Sequence, residues 1–191
     1  MLMSIPIQSS SWNYKKQIFI ALFLALSVLA LPLFAQAGFR VIRIVDGDTI
    51  VVDYKGRAEK VRLLCVDTPE SVHPDKKRNI PIGKVASRYA EERLTGKYVE
   101  LEFEGHRLRG NYGRLLAYVI VDGVNFNLEL VRQGLSPYYT KYGYSRRYDG
   151  QFRALEKQAR KEGLGIWSDP GLTRKYLRLK SKWGQAASRL K

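Results

Sequence analysis

The chain has 191 residues, the length of one ordinary domain with a short extension. It carries 33 Lys and Arg residues against 18 Asp and Glu residues, a formal net charge of +15 at pH 7. Such a charge favours polyanionic partners, which include nucleic acid, anionic lipid and cell-wall polymer. Cys65 is the only cysteine, which excludes an internal disulfide, and we expect it to be a small buried hydrophobe rather than a reactive thiol.

The first 37 residues have the pattern of a secretory signal. Lys15-Lys16 precede an apolar run over residues 18–34, and Ala35-Gln36-Ala37 is a small-x-small cleavage pattern. We therefore expect cleavage after Ala37 and a secreted, periplasmic or cell-envelope location, with an uncleaved membrane anchor as the alternative. Cleavage would remove two Lys and no acid, leaving 31 basic and 18 acidic residues and a net charge of +13.

Five strands are predicted after the leader. The segment from Phe39 to Val66 is rich in Val, Ile and Leu, and turn signals at Asp46-Gly47-Asp48 and Lys55-Gly56 divide it into three antiparallel strands. Apolar and polar residues alternate over residues 97–103, and residues 115–121 form a nearly continuous apolar run. These two segments are predicted to be the fourth and fifth strands.

Three helices are also predicted. Residues 85–94 place apolar side chains at helical spacing between Gly83 and Gly96. The second helix is expected over about 125–133 and the third over about 149–162, each followed by a glycine. The order of three strands, helix, two strands and two helices is compatible with an α+β fold built on a five-stranded barrel of the oligonucleotide-binding (OB) type.

The C-terminal residues 169–191 are predicted to form a basic tail. From Thr173 to Lys191 there are seven Lys or Arg residues and no acid, interleaved with aromatic and aliphatic residues. This composition is typical of a solvated tail or frayed helix, and it is also compatible with a supplementary contact to nucleic acid or membrane.

Three polar clusters, at residues 45–49, 61–70 and 111–114, place carboxylates and two arginines near strand ends. Phosphodiester hydrolysis needs a countercharge for the phosphate, an activated water and stabilisation of the growing oxygen charge, which carboxylates, a hard cation and arginines supply. Oxygen ligands indicate calcium or magnesium, and His73 and His106 are expected at the surface rather than at a zinc site. Taken alone, Asp46-Gly47-Asp48-Thr49 is better explained as a hairpin turn and Asp67-Thr68-Pro69-Glu70 as a strand exit that caps a loop. Strand alternation would also put Arg62 and Asp67 on opposite faces.

Together the three clusters resemble the staphylococcal nuclease family in order, spacing and surroundings, over roughly residues 38–168. The resemblance implies an OB barrel with three helices, one calcium ion, and hydrolysis of DNA and RNA to products bearing 3′-phosphates. It is carried by five stretches: Arg62-Leu63-Leu64, Val66-Asp67-Thr68-Pro69-Glu70, Tyr112-Gly113-Arg114, Leu116-Ala117-Tyr118 and Leu130-Val131-Arg132-Gln133-Gly134-Leu135.

The resemblance also implies roles for acidic residues. Asp48 and Asp67 would bind calcium through their carboxylates, and Thr68 through its main-chain carbonyl. Asp46, in the same turn as Asp48, would support this site without ligating the metal directly. Glu70 would orient or deprotonate the attacking water.

The arginines and tyrosines of the resemblance would face the substrate. Arg62 and Arg114 would fork onto the scissile phosphate and bind it more strongly as charge builds there. Tyr112 would hydrogen-bond another phosphate, while Tyr139 or Tyr142 would form a wall on which a base stacks. Gly110-Asn111 departs from the family pattern of an acidic and then a basic residue, so one phosphate contact is expected to be missing.

Three classes of function remain open from the sequence. The favoured one is an exported nuclease acting as a monomer on DNA and RNA with little base specificity. The second is a non-catalytic nucleic-acid-binding module on the same fold. The third is an envelope-associated protein that uses the leader or the basic tail to bind a membrane surface weakly.

Overall fold

The computed structural model describes residues 38–70 and 80–189, with side chains through Lys180, and all of them lie in one compact unit. The predicted signal segment and His73 lie outside the described residues. Within the described part of the chain, no helix is long and apolar enough to cross a membrane.

The five predicted strands are confirmed, and they close into a barrel. The strands are β1 (Phe39–Asp46), β2 (Thr49–Tyr54), β3 (Arg57–Leu63), β4 (Tyr98–Glu102), β5 (Leu115–Val121) and a two-residue β6 (Val124–Asn125). Neighbours pair antiparallel in the order β3-β2-β1-β4-β5, and a parallel pairing of β3 with β5 closes the ring. Strand β6 pairs antiparallel with the last two residues of β5.

The three predicted helices are present, and the described residues contain a fourth where the basic tail was expected. The helices are α1 (Pro81–Leu94), α2 (Phe126–Arg132), α3 (Asp149–Glu162) and α4 (Pro170–Arg189), with a 3-10 turn at Gly165–Trp167 before α4. Helix α1 begins two residues earlier than Gly83 because a proline at the first position suits a helix start. Gly163 ends α3 in the left-handed conformation, as predicted, with φ +64°.

The barrel interior is the main hydrophobic core. Alternate residues of β2 and β3 point inward, including Ile50, Val52 and Val61, which are fully buried. Helix α1 covers one side of the barrel with Ala86, Ala90 and Leu94, and α3 contributes Phe152 and Ala159. Val85 was expected on the inner face of α1 but is 51% exposed, because the buried stripe runs through the small residues of the helix instead.

A second, smaller cluster attaches α4 to the rest of the molecule. Ile80, Ile166 and Tyr176 are buried together, with Leu172 and Leu179 packed against them. Residues 172, 176 and 179 lie at helical spacing, so one face of α4 is apolar and directed inward. This packing places Tyr176 and Lys180 of α4 next to the residues that follow β3.

Candidate active site

The turn between β1 and β2 presents Asp48 from a tightly packed backbone. Asp48 is 5% exposed, its main-chain N–H donates to the Asp46 carboxylate at 3.1 Å, and its Oδ1 accepts from the Thr49 hydroxyl at 3.1 Å. A Cβ at Gly47 would lie 2.8 Å from the Cβ of Ala86 and 2.9 Å from the Thr68 hydroxyl oxygen. Glycine at this position therefore lets the turn pack directly against α1 and the loop after β3.

After β3 the chain reverses direction in a turn that is fixed by hydrogen bonds to α2 and to the segment that follows α2. Cys65 has a φ of +60°, in the left-handed region that few non-glycine residues occupy. The Leu64 carbonyl accepts from the Asn127 amide nitrogen at 2.8 Å, and the Cys65 carbonyl accepts from the Tyr139 N–H at 2.9 Å. The Asp67 N–H donates to the Ser136 hydroxyl at 2.8 Å. Helix α2 and the segment after it thus fix the position of Asp67.

These two turns meet at one end of the barrel. The Arg62 guanidinium lies 2.5 Å from Asp48 Oδ1 through Nη1 and 2.9 Å from Asp67 Oδ1 through Nη2. The Thr68 N–H donates to Asp48 Oδ2 at 2.7 Å. The expectation that Arg62 and Asp67 lie on opposite faces is wrong, because β3 ends at Leu63 and the turn brings Asp67 back beneath Arg62.

Burial and neighbouring charges shift the ionisation of this cluster. Burial and the adjacent Asp48 carboxylate raise the pKa of Asp46 to about 7. Burial acts against the ionised form of Asp48, but the Arg62 guanidinium and other donors bring its pKa below the ordinary value. Asp48 is therefore the carboxylate that this environment keeps charged, while Asp46 accepts a proton more readily.

Helix α4 contributes two further residues that the sequence did not identify as part of the site. Lys180 Nζ lies 2.6 Å from Asp67 Oδ2 and 3.4 Å from the Thr68 carbonyl oxygen. The Tyr176 hydroxyl donates to the Asp67 carbonyl at 2.6 Å. Burial raises the pKa of Asp67, and the charges of Lys180 and Arg62 oppose that shift. The apolar spacing of α4 was the only sequence signal that one face of this basic segment packs inward.

Glu70 lies on the stretch that leads from the cluster to α1. Its main-chain carbonyl accepts from the Ile80 N–H at 3.2 Å, and its side chain is half-buried. A Cβ at Gly83 would lie 2.4 Å from the Glu70 carbonyl oxygen, so only glycine allows α1 to approach this closely. The backbone of Glu70 is therefore fixed by the first turn of α1.

Arg114 lies immediately before β5, the strand that pairs in parallel with β3. It precedes Leu115, which pairs with Val61 in the parallel ladder, so it lies one strand away from Arg62. The Arg114 guanidinium lies 5.7 Å from the centre of the Tyr112 ring, and Tyr112 is 86% exposed. Both side chains are thus presented at the surface beside β5, where an extended anionic ligand can reach them.

The predicted tyrosines differ in exposure. Tyr139 is half-buried, and burial together with the Asp67 carboxylate raises its pKa, which places it beside the acidic cluster. Tyr142 is 86% exposed, and its ring centre lies 6.0 Å from that of Tyr139 in an edge-to-face arrangement. Lys141 lies 5.6 Å from the Tyr142 ring. This pair forms an aromatic wall with a cation at its outer edge.

The resemblance predicts that a cation would be held by two carboxylates, Asp48 and Asp67, and by the Thr68 main-chain carbonyl. Among the described residues, no group of three His, Cys, Asp or Glu side chains gathers as a metal cluster. The oxygens of Asp67 and Thr68 already converge on a positive charge, the Lys180 ammonium. Oxygen donors of this kind suit a hard cation such as calcium or magnesium.

Comparison with known proteins places this geometry in a family. Residues 60–169 match the family model described as Staphylococcal nuclease homologue. Endonuclease YncB of Bacillus subtilis (strain 168) is 41% identical over 129 residues, which cover 68% of this chain and 61% of that protein. Thermonuclease of Staphylococcus hyicus is 39% identical over 134 residues, 69% of this chain and 76% of that protein. The chain spans only 43% of a third relative, the SPbeta prophage-derived endonuclease YokF of the same Bacillus strain.

Proposed function

The chain belongs to the staphylococcal nuclease family, and from this premise we propose that it is an exported, calcium-dependent nuclease. It hydrolyses phosphodiester bonds of DNA and RNA with little sequence specificity and leaves 3′-phosphate products. Relatives named endonuclease and thermonuclease support a hydrolase of this class. The single observation that carries the proposal is the convergence of Asp48, Asp67, Thr68 and Arg62 at one end of the barrel.

The residues present fit a calcium ion. Asp48 and Asp67 supply carboxylate oxygens, and Thr68 supplies a main-chain carbonyl that already accepts from the Lys180 ammonium. All of these donors are oxygens, as calcium requires, and burial at this site reduces competition from water. When bound, calcium supplies charge stabilisation for a phosphate oxygen and a lower pKa for a water molecule.

The side chains of the site divide the remaining chemistry. The Glu70 carboxylate takes a proton from the attacking water as the water oxygen bonds to phosphorus. The bond from phosphorus to the 5′ oxygen breaks, and a solvent proton completes the 5′-hydroxyl. The phosphate stays on the 3′ side. A strand with a 3′-phosphate and a strand with a 5′-hydroxyl are therefore the expected products.

The two arginines act on the phosphate. Arg62 is held by Asp48 and Asp67 in a fixed orientation, so its guanidinium needs little reorganisation when charge develops on the phosphate oxygens. Arg114, on the neighbouring strand, provides a second fork from the side of Tyr112. Binding of the transition state in preference to the ground state is the catalytic contribution of both residues.

Broad substrate choice follows from the kinds of contact available. Phosphate contacts carry no base information, and the wall formed by Tyr139 and Tyr142 can stack any base. The net charge, +15 for the whole chain and +13 after cleavage at Ala37, when 31 basic and 18 acidic residues remain, attracts DNA and RNA alike. We therefore expect cleavage of both nucleic acids by a monomeric enzyme.

Export is proposed from the leader alone. The basic start, apolar run and Ala35-Gln36-Ala37 pattern of the first 37 residues support cleavage after Ala37. The mass of the protein recovered from culture medium and from the envelope fraction tests this directly. A protein starting at Gly38 in the medium supports secretion, whereas the full-length mass in a membrane fraction that resists a high-salt wash supports an anchor.

The proposed activity is tested by incubating the purified protein with denatured DNA and with RNA. Calcium, magnesium alone and a calcium-selective chelator are compared, and the ends of the products are identified by mass spectrometry. Cleavage only with calcium, giving 3′-phosphates, supports the proposal. Binding without cleavage under every metal condition would instead indicate a nucleic-acid-binding module.

A further inference from the structure

Helix α4 places a cation on the oxygens assigned above to calcium. The Lys180 ammonium lies 2.6 Å from Asp67 Oδ2 and 3.4 Å from the Thr68 carbonyl oxygen. These are two of the three groups in the proposed calcium donor set. Lys180 therefore interacts with the same atoms as the metal would.

This ion pair is buried and is anchored by its own helix. The side chains of Lys180 and Asp67 are only 14% and 13% exposed. One turn earlier on α4, Tyr176 is 1% exposed and donates its hydroxyl to the Asp67 carbonyl at 2.6 Å. Tyr176 also packs with Ile80 and Ile166 in the second hydrophobic cluster. The contact is thus part of a docked helix and differs from a mobile surface salt bridge.

Charge balance makes Lys180 and a divalent cation compete. Asp48 and Asp67 carry two negative charges at neutral pH when ionised, and Arg62 and Lys180 supply two positive charges. Adding a divalent cation to these four groups would leave an excess of two positive charges, of which the adjacent Asp46 carboxylate could offset at most one. Like charges at such short range repel strongly where water is largely excluded. Departure of Lys180 removes one positive charge from the site and leaves Asp67 Oδ2 able to bind the metal.

We propose that α4 is an autoinhibitory element in which the Lys180 ammonium occupies the calcium position, so that calcium binding requires the helical turn from Tyr176 to Lys180 to move away. This regulation rests on the proposed function, since it concerns the same metal site. Leu172 packs against the second hydrophobic cluster and can hold the start of α4 while the turn that carries Lys180 moves. The apparent affinity for calcium is then the intrinsic affinity multiplied by the fraction of molecules in which Lys180 has already left the site.

The test compares calcium binding in the full chain by isothermal titration, without nucleic acid. Lys180→Met keeps the length and apolar stem of the side chain and removes its charge. If Lys180 is in place in about nine molecules of ten, this variant binds calcium about tenfold more tightly than the wild type. The matched control is Lys175→Met, an exposed lysine on the same helix, which should leave the affinity unchanged.

A second variant keeps the inference testable if loss of the Lys180 charge destabilises the fold. Tyr176→Phe keeps the ring in its hydrophobic cluster and removes only the hydrogen bond to the Asp67 carbonyl. Because this weakens the docking of α4, calcium affinity should rise by about fivefold. In the wild type, hydrogen exchange of the amides of residues 176–180 should become faster when calcium is added.

The outcomes separate this inference from the proposed function. Equal or weaker calcium binding by both variants, in a chain that binds calcium and cleaves DNA, would overturn autoinhibition and leave the nuclease proposal standing. Slower hydrogen exchange in α4 with calcium would also overturn it, since the helix would then complete the metal site. Absence of calcium binding in the wild type and in Lys180→Met alike would contradict both.

Discussion

At the residue scale, Glu70 is the group whose assigned role differs most from that of its neighbours. Asp48 and Asp67 are engaged with Arg62, whereas the Glu70 side chain is half-buried on the adjoining stretch. A base has to exchange a proton with water, so a carboxylate outside the tight ion-pair cluster suits that task better than one inside it.

Replacement of Glu70 by Gln should lower turnover on the order of 10²- to 10⁴-fold, because it removes the proton acceptor and preserves the shape of the side chain. Calcium affinity should remain largely intact, since the proposed donors are unchanged. Single-turnover cleavage of a short oligonucleotide measures the chemical step. Glu91→Gln, at an exposed position of α1, is the control. Turnover of Glu70→Gln close to that of the wild type would refute the base role.

Cys65 gives a prediction about pH. Burial raises the pKa of its thiol, and its Sγ lies 3.6 Å from the Tyr118 hydroxyl. A raised pKa means less thiolate at any given pH, so alkylation of the folded protein should be slower than that of the unfolded chain. The pH midpoint of the reaction should also be higher in the folded protein. Equal alkylation rates for the folded protein and for the chain in urea would contradict the buried position.

At the element scale, the strands and turns of the barrel were predictable because their signals are local. Asp46-Gly47-Asp48 and Lys55-Gly56 mark turns by their own chemistry, and apolar alternation marks the buried face of each strand. Glycines after the second and third helices likewise marked their ends within a residue or two. Nothing distant in the sequence is needed to interpret such signals.

The convergence of the site was not predictable from spacing. Arg62 meets Asp67 because Cys65 adopts a left-handed conformation, which a cysteine gives no reason to expect. Only the likeness to a family indicated that these residues work together. Lys180 lies more than 100 residues from Asp67 in the chain, and a basic C-terminal segment is usually solvated. The sequence of α4 shows an apolar face, but it does not indicate which part of the molecule that face packs against.

Close approach of α1 to the Glu70 segment gives a prediction at this scale. Gly83→Ala would place a Cβ 2.4 Å from a backbone oxygen, which cannot move as a flexible side chain would. The free energy of unfolding should fall by about 1–3 kcal/mol, as for other overpacked sites. Gly150→Ala is the matched control, because a Cβ there, on helix α3, meets nothing within 4 Å. Urea denaturation measures both variants.

The control should be unchanged or slightly stabilised, since alanine suits a helix better than glycine. Equal stability of Gly83→Ala and Gly150→Ala would contradict the packing described here. A loss of activity in Gly83→Ala greater than the loss of folded protein would further indicate that α1 positions Glu70.

At the scale of the whole molecule, the barrel brings distant segments of the chain together at one end. The net positive charge of the protein determines which kinds of ligand it attracts. The β1–β2 turn, the end of β3 and the start of β5 meet because β3 and β5 pair in parallel. The excess of basic residues over acidic ones attracts polyanions to the molecule. Substrate affinity should therefore depend strongly on salt.

Neutralisation of about three phosphates of a single strand predicts roughly a twentyfold loss of affinity between about 50 and 200 mM salt. Fluorescence anisotropy of a labelled oligonucleotide, in calcium-free buffer to prevent cleavage, measures this loss. An uncharged oligonucleotide analogue provides the control and should bind weakly at both salt concentrations. Salt-independent binding of the natural oligonucleotide would mean that stacking, rather than phosphate contact, dominates recognition.

The most direct test of a calcium-dependent nuclease site at this end of the barrel is the initial rate of hydrolysis of denatured DNA, with and without calcium. It is measured for the wild type, Asp48→Asn and the exposed β2 control Asp53→Asn. The wild type and the control should cleave with calcium, and Asp48→Asn should be slower on the order of 10²-fold or more. Equal calcium-dependent rates for Asp48→Asn and the wild type would show that the reaction, if present, occurs elsewhere on the molecule.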